Sequence, residues 1–239
     1  MVEQTEGSET TESAPVSALL RIDFGCGNNK KTVADQEWTG VDSIKFDAVD
    51  VVMNVCRPIY GNKVVGDSDD GTEEVARVIV GHKPWPWADN SVTEAYAAHF
   101  VEHLDQYQRC HFFNELWRVL VPGGTCQIVT PHWASTRAYG DPTHKWTPVS
   151  EMGWYYLKAE WRNGDEAKGL GANAPHTDIA HNPMGYSCDF EAGWGYSMTD
   201  ELAVKSQDNV VFALSNYINA AQDMSAVITA TKPVASDDD

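Results

Sequence analysis

Short apolar runs alternate with polar stretches and glycine turns over the first 130 residues. Leu19-Leu20-Arg21-Ile22-Asp23-Phe24 has strand length and passes directly into Gly25-Cys26-Gly27, so it reads as a buried strand ending in a tight turn. Residues 38–41, ending at Asp42, read as a second short strand. Residues 48–52 read as a third, apolar on both faces as central parallel strands tend to be. The passage 56–83, with Gly66-Asp67-Ser68-Asp69-Asp70-Gly71-Thr72-Glu73-Glu74 inside it, exceeds ordinary connections. It is read as an insertion with a short helix at 73–80. Residues 92–97 form a fourth strand. Cys110, Phe113, Leu116, Trp117 and Leu120 then recur at helical spacing over 106–120, and Pro122-Gly123-Gly124 stops that helix. A fifth strand follows at 125–130. Periodicity weakens beyond Pro131 through a region rich in Trp, Tyr, His and Gly that runs to about 198. A helix at 209–218 and a strand at 224–231 close the pattern.

Alternating β and α elements predict an α/β fold: a doubly wound, Rossmann-like sheet with helices on both faces, right-handed crossovers and ligand at the carboxyl ends of the strands. A length of 239 residues suits one domain, taken as 18–232, between an acidic leader at 1–17 and an acidic tail at 233–239. The hydrophobic share of 42% and nine Trp indicate a packed interior. No window approaches the roughly 20 continuous apolar residues of a membrane span. The N-terminus lacks the basic start and apolar stretch of a secretory signal, so a cytoplasmic location is expected. Cys26, Cys56, Cys110, Cys126 and Cys188 include no C-x-x-C pair and read as reduced thiols. A formal charge of −18 opposes a phosphate backbone and lowers the case for a nucleic-acid partner. Part of that charge sits in the tails, at Glu3, Glu6, Glu9 and Glu12 and at 237–239.

The glycine turn after the first strand lets a ligand approach the backbone closely. A dinucleotide enzyme would carry a third glycine where Lys30 stands, which weakens a hydride-transfer reading. Asp42, fifteen residues past Gly27 at the end of the next strand, is placed to accept hydrogen bonds from two ribose hydroxyls.

Asp23 to Gly27 together with Gly40-Val41-Asp42 resembles the first two motifs of class I S-adenosylmethionine-dependent methyltransferases. Later segments agree in order. Trp85-Pro86-Trp87-Ala88-Asp89-Asn90-Ser91 resembles that family's approach to strand four, and His99-Phe100-Val101-Glu102-His103-Leu104 its segment just after that strand. Glu115-Leu116-Trp117-Arg118-Val119-Leu120-Val121-Pro122-Gly123-Gly124 is similar to its run ahead of strand five. The match covers roughly residues 19 to 131. The resemblance implies a seven-stranded methyltransferase sheet and S-adenosylmethionine as cofactor. It implies that Asp23, Gly25 and Gly27 border the methionine part, that Asp42 holds the ribose, and that His99 sits close to the sulfonium. The family's acidic contact to the adenine amino group corresponds to Asn54, whose amide oxygen still accepts such a bond.

Acceptors are expected beyond strand five, in a cap at about 132–198. There Asp141-Pro142-Thr143-His144 resembles a segment of some family members, and Asp141 or His144 would serve as general base. His132, Asp141 and His144, or His176, Asp178 and His181, offer imidazole and carboxylate to a divalent ion, yet neither spacing matches a zinc pattern, and no metal is assigned. Glu102 and His103 read equally as support for the following helix or as part of the chemistry. Trp154, Tyr155, Tyr156, Trp161, Trp194 and Tyr196 read mainly as packing. The expected function is methyl transfer from S-adenosylmethionine to a small molecule or a sugar- or nucleotide-derived group. Two alternatives stand beside it: a catalytically silent binding module, which Asn54 keeps open, and a nucleic-acid-modifying methyltransferase. Ala97-Ala98-His99-Phe100, in place of an Asn- or Asp-Pro-Pro-aromatic segment, argues against methylation of a base amino group.

Overall fold

The computed structural model describes residues 19–67, 73–173, 179 and 182–233. The expected acidic leader and the residues from 234 lie outside that range. Seven strands form one sheet: β1 (Leu20–Phe24), β2 (Thr39–Asp42), β3 (Val51–Val52), β6 (Val92–Ala98), β7 (Leu120–Pro131), β8 (Phe190–Met198) and β9 (Ala221–Ala230). The order is β3-β2-β1-β6-β7-β9-β8, with β9 antiparallel to both of its neighbours. The chain moves outward from β1 to β3 and then returns to the other side of β1 at β6, so the winding reverses between β1 and β6. A crevice at the carboxyl ends of the strands opens at such a switch point.

The helix α1 (Gln106–Val119) closes one face over Ile22, Phe24, Val92, Ala97 and Ile128, through Phe112, Phe113 and Leu116. Its start is written in the sequence: Asp105 accepts from the backbone N–H of Tyr107 and Gln108, and the Gln108 side chain accepts from the N–H of Asp105. Its end comes at Val119, where Leu120 is already extended. Val92 pairs with Leu120 and Glu94 with Thr125, so residues 121–124 loop out of the ladder, with Gly123 at φ +74°.

The polar insertion contains a β-hairpin, β4 (Pro58–Asp67) and β5 (Glu73–His82), instead of the helix expected at 73–80. Val75, Val78, Ile79 and Val80 explain the difference, because β-branched side chains favour the pleated backbone. The third strand is two residues long and lies at the sheet edge, with Val52 half exposed, not central as its apolar run suggested. Among its described residues the cap region holds the short helices α2 (Arg137–Gly140), α3 (Glu151–Tyr155) and α4 (Ala159–Asn163). Its last part, however, is β8, a strand of the main sheet. Phe190, Ala192, Trp194 and Tyr196 alternate toward the core with the outward Glu191, Gly193, Gly195 and Ser197. Glycine at two of the four outward positions, 193 and 195, hides that period. Two helices, α5 (Asp200–Ala203) and α6 (Gln207–Asn216), then lead into β9.

The crossovers from β1 to β2 and from β2 to β3 contain no helix. Residues 28–37 are polar and lack an apolar stripe. They fold as turns across the sheet face opposite α1. Asp23, Tyr96 and Gln127 lie side by side on β1, β6 and β7, and Lys31 spans them. Its N–H donates to Asp23 at 2.6 Å, and its ammonium lies 4.2 Å from the Tyr96 ring centre and bonds Gln127 Oε1 at 3.2 Å. All five cysteines are buried free thiols, pushed up in pKa first by burial.

Candidate active site

Two clefts meet at the carboxyl ends of β1, β2 and β6. The first, about 450 Å³, is lined by Gly25, Asp42, Phe46, Asn54, His99 and Phe100 among others. Gly25 stands at φ +68°, and a Cβ there would lie 2.6 Å from Phe100 Cδ2. Glycine is therefore required both by the backbone conformation and by the close approach of the ring. Asp42 Oδ2 accepts from Gly27 N–H at 3.1 Å and Oδ1 from Ile44 N–H at 2.9 Å. These two bonds fix the carboxylate, and each oxygen keeps a lone pair for a ligand hydroxyl.

Gly27 reaches the cleft only through that bond to Asp42. Asp23, expected beside the ligand, is 2% exposed and braces the turn from below through the Lys31 N–H. Burial raises its pKa to about 6, against the opposing Lys31 N–H and the nearby Lys31 and Lys30 charges. Asn54 faces the cleft, but its Oδ1 accepts from Cys56 N–H at 2.9 Å, so one lone pair remains for a ligand.

His99 lines both clefts. Its backbone is left-handed, at φ +51°, and its N–H donates to Val129 O at 2.8 Å. The ring Nδ1 meets Glu102 Oε1 at 3.2 Å. That bond raises the His99 pKa, more than burial lowers it. Glu102 itself is 4% exposed, in a short 3-10 turn at Val101–His103.

The second cleft, about 610 Å³, is lined by His99, Glu102, His103, Arg137, Asp141 and His144, among others. The three residues singled out from sequence for chemistry, His99, Asp141 and His144, thus share one wall. Asp141 Oδ1 accepts from the Thr143 hydroxyl at 2.7 Å and the Thr143 N–H at 2.8 Å, and these bonds hold its carboxyl below the usual range. His144 Nδ1 lies 3.1 Å from Ala138 O. Glu102 and His103, read as helix support or chemistry alike, belong to this wall, as does Arg137, which sequence reasoning missed. The H-x-x-E-H spacing of 99, 102 and 103 was the available signal, since one turn brings all three to the same end of β6.

His132 does not join Asp141 and His144. It is 2% exposed, lines neither cleft, and meets Glu151 Oε1 at 2.9 Å through Nε2. Of the other candidate trio, His176, Asp178 and His181 lie outside the described residues. Trp154 is buried with Nε1 on the Met224 sulfur, and Tyr155, Trp161 and Trp194 pack on one another, as expected of packing aromatics.

The remaining shared motifs act as struts. Glu115, 9% exposed, accepts from Trp85 N–H and from Arg118, whose guanidinium also reaches Trp85 O, Trp87 O and Asp89. The glutamate and arginine of α1 therefore pin the Trp85–Asp89 stretch that leads into β6.

No protein-family model and no curated protein matches the sequence. Among solved structures, the chain is similar to a SAM-dependent methyltransferase from Archaeoglobus fulgidus at 16% identity, with 89% of this chain and 86% of that one covered and a TM-score of 0.45. It is also similar to a SAM-dependent methyltransferase from Methanosarcina mazei at 15% identity, covering 89% and 92%, with a TM-score of 0.45. A third similarity is to the YcgJ protein from Bacillus subtilis, at 13% identity over 91% and 94%, with a TM-score of 0.40. The seven-stranded order, the reversal at β1 and the antiparallel β9 stand on the coordinates themselves, and by them the chain has a doubly wound, Rossmann-like α/β fold.

Proposed function

We propose that the protein is an S-adenosylmethionine-dependent methyltransferase acting on a small molecule or a sugar- or nucleotide-derived group. One observation carries the reading: the Gly25–Asp42 cleft shares His99 and His103 with a second, polar cleft. The donor set fits the cofactor, with a fixed carboxylate for two ribose hydroxyls and a glycine backbone that admits a ligand. When bound, S-adenosylmethionine supplies an electrophilic methyl group on a sulfonium leaving group.

The residues then have distinct tasks. Asp42 would hold the ribose, Gly25 would let the methionine part lie against the backbone, and Asn54 would border the adenine end. An acceptor would be held in the second cleft, facing the methyl group that bound S-adenosylmethionine would supply. The acceptor's proton passes to the His99 ring, which Glu102 orients. A base whose pKa is tuned near the working pH suits that transfer. Asp141 and His144 border the acceptor. Alignment of the reacting atoms accounts for much of the barrier reduction. The net charge of −18 favours a small acceptor over a nucleic acid. No helix among the described residues is long and apolar enough to cross a membrane.

Calorimetric titration with S-adenosylmethionine and S-adenosylhomocysteine tests this. Micromolar binding is expected in the wild type. It should be lost in Gly25→Arg and weakened by about 1–3 kcal/mol in Asp42→Ala, whose charged hydrogen bonds to the ribose are gone. A wild type that binds neither compound would replace this reading with the silent binding module.

A further inference from the structure

Glu102, His103 and His144 stand together on the wall of the second cleft, each with one potential ligand atom, and the three atoms lie within 4.8 Å of one another. The geometry points to a binding site for a divalent transition-metal ion of the zinc or cobalt type, held by the Glu102 carboxylate and the Nε2 atoms of His103 and His144. Two imidazoles and one carboxylate select such ions over magnesium or calcium, which prefer oxygen. A bound ion would draw the three atoms in to the ~2.0–2.2 Å of zinc–ligand bonds.

Two observations beyond the clustering support the site. The first concerns Glu102, whose Oε1 is held by His99 while Oε2 is buried with no hydrogen-bond partner. A buried carboxylate oxygen left alone is costly, and a cation is the partner its charge calls for.

The second is the way both imidazoles are anchored. Thr143 Oγ1 donates its single proton to Asp141 at 2.7 Å, so at 3.0 Å it must accept from His103 Nδ1–H. That bond fixes the proton on Nδ1 and leaves the Nε2 lone pair for a ligand. His144 Nδ1–H likewise donates to Ala138 O at 3.1 Å, which leaves its Nε2 free. Neither Nε2 has a hydrogen-bond partner among the described residues; that of His144 lies 4.0 Å from Asp141 Oδ2. Metal-binding histidines are commonly oriented this way, with the second nitrogen donating to a carbonyl or to a group backed by a carboxylate. Asp141 is then a positioning residue acting through Thr143. Three protein ligands leave a position for water or an acceptor oxygen, in the cleft that His99 also lines.

The site stands whether or not the neighbouring cleft takes S-adenosylmethionine, so the two readings fail separately. The experiment is titration of the chelator-treated full chain with Co²⁺, read by visible absorption, and with Zn²⁺ in calorimetry, both without cofactor. One ion per chain at micromolar affinity or tighter is expected. Glu102→Gln, His103→Ala and His144→Ala should each abolish it, and Thr143→Val should weaken it about 10- to 100-fold while melting like the wild type in the absence of metal. The stacked pair His82 and His111, 5.0 Å apart, is the control. Binding lost in His82→Ala and kept in His144→Ala would overturn the assignment. So would a wild type that binds neither ion, in which case water serves the Glu102 oxygen, or a Thr143→Val variant with unchanged affinity.

Discussion

Asp23 and Asp42 look alike in the sequence, each an acid near the end of a short strand and two residues from a glycine, and the resemblance gave both to the cofactor. Their surroundings separate them. Asp42 opens on the cleft, whereas Asp23 is buried under the turn with Lys31 N–H on its carboxylate. The bracing role leaves a pH signature. Burial raises the folded pKa of Asp23 from the usual 3.8 to about 6. A raised folded pKa means a contribution to stability that is complete below about pH 4 and lost as the pH climbs through 6. Asp23→Asn keeps an oxygen for Lys31 and has no proton to lose, so its melting temperature should gain on the wild type between pH 4 and pH 7. Thermal melts in half-unit steps check this, and a constant difference across that window would mean that the Lys30 and Lys31 charges keep the carboxylate ionised throughout. No sequence pattern distinguishes the two acids, because the difference is which backbone N–H the folded loop delivers to each.

The elements that the sequence revealed are those whose burial is one-sided and uninterrupted. β1 ends in its glycine turn, β6 is a continuous run, and α1 carries an apolar stripe bounded by a cap and a proline. The elements it concealed share a physical cause. In β8 glycine takes two neighbouring outward positions, 193 and 195, in β5 a polar neighbourhood masks β-branched residues, and β3 is an edge strand whose apolar run is longer than its pairing. The helix-free crossover after β1 was hidden because Lys31 does the covering with a long stem and one charge, which no periodicity records. The site divides the same way, since Gly25, Asp42 and His99 stood in recognisable motifs. Arg137 and the joint role of Glu102, His103 and His144 depend on the 3-10 turn meeting a loop forty residues away. The start of α1 matters to that meeting because it follows the turn directly and sets Gln108 into the first cleft. Asp105→Ala removes two caps on backbone N–H groups and should cost about 1 kcal/mol, within roughly 0.5–2. Chemical denaturation would show a lower midpoint with an unchanged slope. No shift in midpoint would mean that packing of Phe112, Phe113 and Leu116 alone fixes the helix start.

At the scale of the molecule, Glu151 ties the later half of the sheet together. From α3 it receives His132 Nε2 at 2.9 Å, Trp133 Nε1 at 3.1 Å and the Tyr196 hydroxyl at 2.8 Å, joining the end of β7 to β8. The His132 bond, aided by Tyr196 and opposed by burial, lowers its pKa from the usual 4.5 to about 2. A depressed folded pKa acts in the opposite sense to that of Asp23: the contribution is complete above about pH 4.5 and lost as the pH falls toward 2. Acid therefore removes the tie across the sheet while relieving the buried charge of Asp23, and the two together place the stability maximum for these groups between about pH 4 and 4.5. Glu151→Gln lacks the acid-sensitive part. Its melting temperature should lie well below that of the wild type at pH 6, and the gap should close as the pH drops from about 4.5 to 2. Parallel melting curves over that range would show that the Glu151 carboxylate keeps its ordinary pKa and that its three partners hold it by hydrogen bonding without favouring its charge.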